Sequence, residues 1–416
     1  MKVWRRDPDV DPGSVGVDPA ALDAVAEEFR EATEAGELYH GAQLAVFREG
    51  RCVLETGGGL ARVRTGVPVE PETTFVIYSS TKGVAALVML MLHERGELHV
   101  DEPVVKYWPE FARLHPEKAS VTIRHVLSHR GGFPIAPDWL TAHHWGDRDA
   151  LRRAMEELPL SWTPGEKNGY HPNNFGHMLN ELCERVDGRD LGRFAREEIF
   201  EPLGIGDFWI GLPADPALEA RVAWCYNRLQ EGAPPESTGL TRLTGSTGDG
   251  TAAAVEQQAQ EETYEVDPAR PGRDPEERHP FNRPATWRAV LPASGGIATA
   301  RALAHYYAPL ALGGELDGVR LVRKESLDHA TTPTNRRGEV DRTIGFKIRW
   351  GTGWHMDLYG QGSSLRTFGH AGAGGQVGFA DPDRGLSFAF VCNGQRQPRF
   401  MVWRYKLGGL ALQSCR

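Results

Sequence analysis

Between Phe75 and Leu92 the chain passes from an extended apolar run, Phe75-Val76-Ile77-Tyr78, through Ser79-Ser80-Thr81-Lys82-Gly83 into a long apolar segment, Val84 to Leu92. That segment lacks strict alternation and is too long for a typical strand, which predicts a largely buried helix. Gly96, just behind Glu94-Arg95, supplies the left-handed residue that ends such a helix. Ser79 then falls in the first helical turn. Lys82, three residues on, shares its face and can touch it.

A serine hydroxyl is a weak nucleophile at its free pKa, and a neighbouring base is the usual remedy. The helix N-terminus adds positive potential and free N–H donors where an oxyanion would form. Alone, the tetrad reads more readily as a capping serine beside a solvated lysine. It gains weight because no other Ser-x-x-Lys occurs in the chain and because the apolar run turns Lys82 toward a core-facing groove. What decides between the two readings is whether partners exist downstream.

With 416 residues the chain is long enough for a substantial core and for two or three domains. A net charge of −9 without a basic block or aromatic-basic interleaving argues against nucleic acid as a partner. The five cysteines, Cys52, Cys183, Cys225, Cys392 and Cys415, are scattered, odd in number and without Cys-x-x-Cys. That pattern suits a reducing compartment better than a disulfide framework or a zinc site. Neither an apolar leader at Met1 to Asp7 nor a membrane-length apolar run is present, so the expectation is a cytoplasmic protein without a membrane partner.

In chain order, residues 1 to 17 read as an arm, and Asp18-Pro19 opens a helix with the stripe Leu22, Val25, Ala26 and Phe29, running to about Thr33. Ala42 to Phe47 and Arg51 to Glu55 flank a glycine turn and predict a hairpin. A short helix is expected from Asp101 to about Phe111. Further helices are expected over 148–158, 175–186, 191–200, 300–308 and 400–412, and strands over 343–350, 365–370, 376–380 and 386–393. Residues 226–285, rich in Gly, Pro, Ser, Thr and Glu, read as a polar insertion that borders the site. The expected architecture is α+β: a sheet domain from residues 1–115 and 285–416, a mostly helical domain from 116–284, and an active site in the cleft between them.

Two downstream stretches qualify as partners for Ser79. One is the loop Pro164-Gly165-Glu166-Lys167-Asn168-Gly169-Tyr170-His171-Pro172-Asn173-Asn174. The other is Phe368-Gly369-His370-Ala371-Gly372-Ala373-Gly374-Gly375. With these in hand, the chain resembles the serine β-lactamase and penicillin-binding-protein superfamily, in particular its class C-like esterase branch of the family VIII carboxylesterase type. That family's marks are Ser-x-x-Lys opening a buried helix, a Tyr-x-Asn loop, and a Lys-, His- or Trp-x-Gly strand. All three have counterparts here in the family's order. Leu127-Ser128-His129-Arg130-Gly131-Gly132 and Pro292-Ala293-Ser294-Gly295-Gly296 are similar to its linking motifs. The likeness runs from about residue 20 to the C-terminus, outside the insertion, and implies a β-lactamase-like fold with an antiparallel sheet flanked by helices.

By this resemblance Ser79 is the acylated nucleophile and Tyr170 the base. Lys82 is expected to hold the hydroxyls and, as a cation, to lower the phenol's pKa. Backbone N–H groups of Ser79 and Ala373 are expected to form the oxyanion hole, with Gly372 and Gly374 permitting close approach. His370 is expected to line the substrate side of the cleft, reading a carboxylate only if protonated. The sequence departs from the family at Pro172, where asparagine is usual, leaving Asn173 or Asn174 to supply its hydrogen bonds. Read without the family, Tyr170 is equally a half-buried tyrosine, His370 a strand histidine and Gly372 to Gly375 a turn. His143, His144 and the remaining histidines lack metal-ligand spacing, and Asp249 reads as a turn residue.

The resulting expectation is hydrolysis of carboxylic esters of small acyl groups through an acyl-enzyme on Ser79, with no cofactor or metal and a small ester or amide as partner. An acyltransferase, a D-amino-acid peptidase or β-lactamase-type amidase, and an inactive ligand-binding member are the rival expectations. A homo-oligomer is compatible with all of them.

Overall fold

The computed structural model describes residues 1–226, 279–356, 362–394 and 400–415. Its largest sheet is centred on Leu386–Cys392, a strand whose seven residues are all buried. Leu386, Phe388, Phe390 and Cys392 belong to one core, while Ala389 and Val391 belong to another. The two-residue period of a strand thereby serves both faces of the sheet.

Across the sheet the order is Val3–Arg6, Arg51–Arg62, Gly41–Arg48, Leu386–Cys392, Val377–Asp381, Phe368–Ala371, His355–Met356 and Arg349–Trp350. Every pair is antiparallel, and Val67–Pro68 joins the side of Arg51–Arg62. The strands thus come from both ends of the chain. The helices Pro19–Ala35 and Phe400–Gln413 cover one face, where Leu22, Val25, Phe29 and Leu407 meet Leu44, Val46 and Phe390. Helix Ala300–Ala311 covers the other face, and Ser387 Oγ is tied to it by donating to Ala304 O at 2.7 Å. Burying each such Phe or Leu contributes roughly 1.5–3 kcal/mol.

Beyond Ala300–Ala311 lies the predicted buried helix, Lys82–Glu94, in which every residue from Lys82 to Leu92 is inaccessible. It packs against Asn174–Asp187 and Leu191–Ala195. A second, three-stranded sheet of Phe75–Val76, Gly296–Ala298 and Phe208–Ile210 delivers the chain to the start of this helix. There Ile77 N–H donates to Gly296 O (2.8 Å) and Gly296 N–H donates to Thr81 Oγ1 (2.9 Å). The turn bearing Ser79 is therefore stitched on both sides.

The structure corrects three local expectations. Val3–Arg6 is an edge strand paired with Glu55 to Gly58, so the start of the chain is part of the sheet and not an arm. The segment after Asp101 forms two 3-10 turns, Val104–Lys106 and Pro109–Ala112, because Pro109 interrupts the backbone ladder. Only Arg349–Trp350 of the expected strand over 343–350 is extended in the sheet; the residues before it close a loop in which Asp341 N–H donates to Phe346 O (2.8 Å) and Gly345 N–H to Asp341 O (2.9 Å). Most of the insertion expected over 226–285, namely 227–278, lies outside the described residues, while Pro284–Arg288 is a short helix. Among the described residues no helix is long and apolar enough to cross a membrane.

Gly83 shows how tightly the helix start is held. Its carbonyl accepts from the Tyr306 hydroxyl (2.8 Å), and a Cβ there would lie 2.6 Å from the Tyr307 hydroxyl. Gly83→Ala is expected to cost about 1–3 kcal/mol of stability by overpacking. Denaturant unfolding checks this, and an unchanged midpoint would show that the contact yields freely.

Candidate active site

Ser79 lies in the 3-10 turn Tyr78–Thr81, which runs directly into the helix at Lys82. Tyr78 holds a left-handed backbone at φ 46°, a conformation that costs a non-glycine residue roughly 1–2 kcal/mol. Ser80 Oγ donates to His370 O at 3.0 Å, tying this turn to the strand Phe368–Ala371. Ser79 itself remains partly exposed while both its neighbours are buried.

The three sequence-predicted groups meet. The Tyr170 hydroxyl donates to Ser79 Oγ at 2.8 Å, and Lys82 Nζ lies 3.3 Å from the same oxygen. Lys82 Nζ also donates to Pro172 O (2.7 Å) and to Ala293 O (2.9 Å), and sits 4.8 Å from the centre of the Tyr170 ring. Lys82 is fully buried, and among the described residues no carboxylate pairs with it.

Burial without a counter-ion drives the Lys82 ammonium well below its ordinary range. Burial likewise pushes the Tyr170 phenol above 10, with the hydrogen bond to Ser79 opposing and Asp341 adding to the rise. Both shifts run toward the neutral forms, amine and phenol, and away from the expected pairing of a cationic Lys82 with a phenolate. Two hydrogens of a neutral amine go to the two carbonyls, which leaves its lone pair for Ser79.

The Tyr170 ring stacks on Trp350 with centroids 5.5 Å apart and planes 13° from parallel. His129 lies 4.7 Å away and His370 6.1 Å away. His129 adopts φ 57°, which lets its carbonyl accept from Gly169 N–H (3.0 Å) and its Nδ1 from His171 N–H (3.2 Å). The loop bearing Tyr170 is therefore moored to the Leu127 to Gly132 stretch. Asp341 accepts from Tyr170 N–H at 2.9 Å and from the Trp350 indole at 3.2 Å.

His370 departs from its expected place on the substrate side of the cleft. It is buried, its Nδ1 lies 2.8 Å from Ala371 O, and its Nε2 is buried with no hydrogen-bond partner among the described residues. Burial holds it well below the usual imidazole range, so it stays neutral and offers no cation to a carboxylate. The turn after it fares better. Gly372 N–H donates to Gln376 O (2.7 Å) and Gly375 N–H to Gly372 O (3.0 Å), leaving Ala373 exposed at the tip. A Cβ on Gly372 would fall 2.5 Å from Ile77 O, and one on Gly374 2.7 Å from the Tyr78 ring. The glycines are thus what lets this turn press against the residues just before Ser79.

Among the described residues no asparagine side chain takes the motif-two place at Lys82. Asn174 is buried and donates to Phe133 O (2.8 Å), and Asn173 Oδ1 accepts from Ser294 Oγ (3.2 Å). The carbonyl of Pro172 takes the lysine instead. That backbone oxygen, the carbonyl of Ala293, and the supports Trp350 and Asp341 were not singled out from sequence. Backbone acceptors carry no residue-type signal, and a lone aspartate before a strand carries little. Among the described residues no group of three His, Cys, Asp or Glu is arranged to hold a metal ion.

Comparison with known proteins extends these observations. The sequence profile described as Beta-lactamase matches residues 25–411. The esterase/beta-lactamase LipL of Mycobacterium tuberculosis is 30% identical over 392 residues, covering 88% of this chain and 80% of that protein. A penicillin-binding protein homolog from Caulobacter crescentus superposes with a TM-score of 0.76 at 33% identity, covering 100% of both chains. A family VIII carboxylesterase superposes with the same score, 0.76, at 26% identity, over 98% of this chain and 100% of that one.

The buried imidazoles carry a stability cost with a definite sign. His129, His171, His177, His355 and His370 are all held below 6.5 by burial, His171 and His355 to about 3 and His177 to about 4. Above pH 6.5 neither state binds these protons, and stability is unaffected. Below it the unfolded chain takes them up and the native state refuses them, so stability falls with pH until the folded values are reached. Each such group contributes up to about 1.4 kcal/mol per pH unit. Unfolding free energy measured from pH 7 to 5 is expected to drop by several kcal/mol, and a flat profile would contradict the neutral cluster.

Proposed function

The chain belongs to the Beta-lactamase family and is a hydrolase, and from that premise we propose that it cleaves carboxylic esters of small, uncharged acyl groups through an acyl-enzyme on Ser79. The observation that carries this reading is the position of Ser79 Oγ, 2.8 Å from the Tyr170 hydroxyl and 3.3 Å from Lys82 Nζ. A nucleophile held between a base and an acid has what acyl transfer requires.

As Oγ attacks the acyl carbon, its proton passes to the neutral Lys82 amine. The Tyr170 phenol then protonates the departing alkoxide, and the Lys82 proton restores the phenol. Water takes the alcohol's place in the second half, and the same transfers run in reverse. The tetrahedral oxygen is held by the N–H groups of Ser79 and Ala373, the latter on the turn pressed against Ile77 and Tyr78.

Two features support esters over amides and carboxylate-bearing lactams. His370 is neutral and buried, so the third motif lacks the cation that reads a substrate carboxylate. Pro172 offers Lys82 a carbonyl, which accepts but cannot donate to a substrate amide. Relatives named as esterases, LipL and the family VIII carboxylesterase, are consistent with this choice.

A panel of short and long nitrophenyl esters, a chromogenic cephalosporin and a D-alanyl amide tests the proposal. Short esters are expected to give the highest kcat/KM. Ser79→Ala, Lys82→Ala and Tyr170→Phe are each expected to remove at least about 3 kcal/mol of transition-state stabilisation. A dominant rate on the cephalosporin would overturn the substrate class, and full activity in Tyr170→Phe would remove Tyr170 from the mechanism.

A further inference from the structure

Asp341 is a buried carboxylate that none of the sequence motifs contains. It is 1% exposed, and among the described residues no cation pairs with it. Four N–H groups converge on it: Tyr170 (2.9 Å), Thr343 (2.9 Å) and Ile344 (3.2 Å) from the backbone reach Oδ1, and the Trp350 indole (3.2 Å) reaches Oδ2. All four are donors that cannot accept. Burial raises its pKa above the ordinary carboxylate value and these hydrogen bonds oppose the rise; a protonated acid would need an acceptor for its own hydrogen, so this set of donors suits the ionised form. Buried charge held by dipoles alone is costly and needs a local reason.

The reason lies in what the four donors belong to. One is the backbone of Tyr170, and another is the ring on which Tyr170 stacks. We infer that Asp341 is the positioning residue for Tyr170, fixing both the main chain that carries the phenol and the indole face that orients it toward Ser79. The inference rests on the role proposed above for Tyr170 and goes beyond it by naming what aims the phenol and what charge stands behind it.

The charge has a consequence for the pH profile. Tyr170 is faced by Lys82 from the buried helix, by His129 from the loop it is moored to, and by His370 from its strand. His355 packs behind His370 and Trp350, and the pair Glu339–Arg130 lies beside Asn168 on the approach to Tyr170. The histidines are neutral and Glu339 is paired with Arg130, so among the described residues Asp341 is the anion of this shell that has no cation beside it. A negative charge raises the pKa of every group it acts on. Removing it lowers both the proton loss that makes the Lys82–Tyr170 pair competent and the later loss that makes it phenolate. Both limbs of the activity profile therefore move to lower pH.

Asp341→Asn is the direct test, assayed as kcat and KM for a short nitrophenyl ester across pH. It retains Oδ1 for the three backbone donors but presents an N–H to the Trp350 indole. Expected are a ten- to hundred-fold fall in kcat, KM within about three-fold, and both limbs displaced to lower pH by about one unit. Trp350→Phe, which keeps a stacked ring and loses only the indole donor, is the second variant and decides the matter if Asp341→Asn does not fold. It is expected to lower kcat three- to ten-fold with KM within two-fold. Wild-type kcat in the Trp350 variant, or an unmoved pH profile in folded Asp341→Asn, overturns the inference. If Tyr170→Phe is also fully active, the proposed mechanism itself has failed. If Tyr170→Phe is dead while these variants are normal, only the role of Asp341 has failed.

Discussion

The arrangement depends on one amine that has been taken out of water without a counter-ion. Lys82 is enclosed at the start of a helix whose next ten residues are also buried. Its only polar company among the described residues is two carbonyls and the Ser79 hydroxyl. An ammonium in such a place is disfavoured, which lowers the pKa of the group and moves it toward the neutral amine, a base. The same carbonyls take its hydrogens and point its lone pair. They belong to Pro172 and Ala293, on the Tyr170 loop and the Pro292 to Gly296 stretch, which means that the geometry of the base is set by two segments far from it in sequence.

The second group is governed by its walls. Trp350, His129 and His370 surround the Tyr170 ring with apolar or neutral faces, and their burial keeps the phenol protonated. Such a shell favours an acid that is ready to donate beside a base that is ready to accept. It also fills the interior with imidazoles that cannot be charged in the folded state. The structure therefore accepts reduced stability in acid in exchange for a dry, preorganised site, the trade commonly found where activity needs a strained or desolvated constellation.

Much of this was legible in the sequence, for reasons that differ by residue. Ser79 and Lys82 were visible because three-residue spacing at the head of an apolar run fixes both a shared face and a buried one. Tyr170 was visible only through its motif, since a tyrosine in a polar loop carries no signal of its own. His370 was found at the right point in the chain, but its orientation was not, because whether a strand residue faces cleft or core depends on its neighbours across the sheet. The upward shift of Tyr170 and the downward shift of Lys82 were not legible for a related cause: spacing reports proximity, whereas the shifts come from burial. Val3–Arg6 was missed as a strand because its partner, Glu55 to Gly58, is some fifty residues away. Pro172 was noticed as a departure, and only the fold reveals that its carbonyl takes up the lysine.

The protonation state of Lys82 is the point on which the account turns, and it is directly observable. Nitrogen-15 NMR of protein carrying labelled lysine, with Lys82→Arg used to assign the signal, follows the Nζ resonance of that one residue through a pH titration. A neutral-amine signal is expected for Lys82 at pH 8, while the exposed lysines remain ammonium. An ammonium signal for Lys82 at that pH would contradict it and return the role of base to Tyr170.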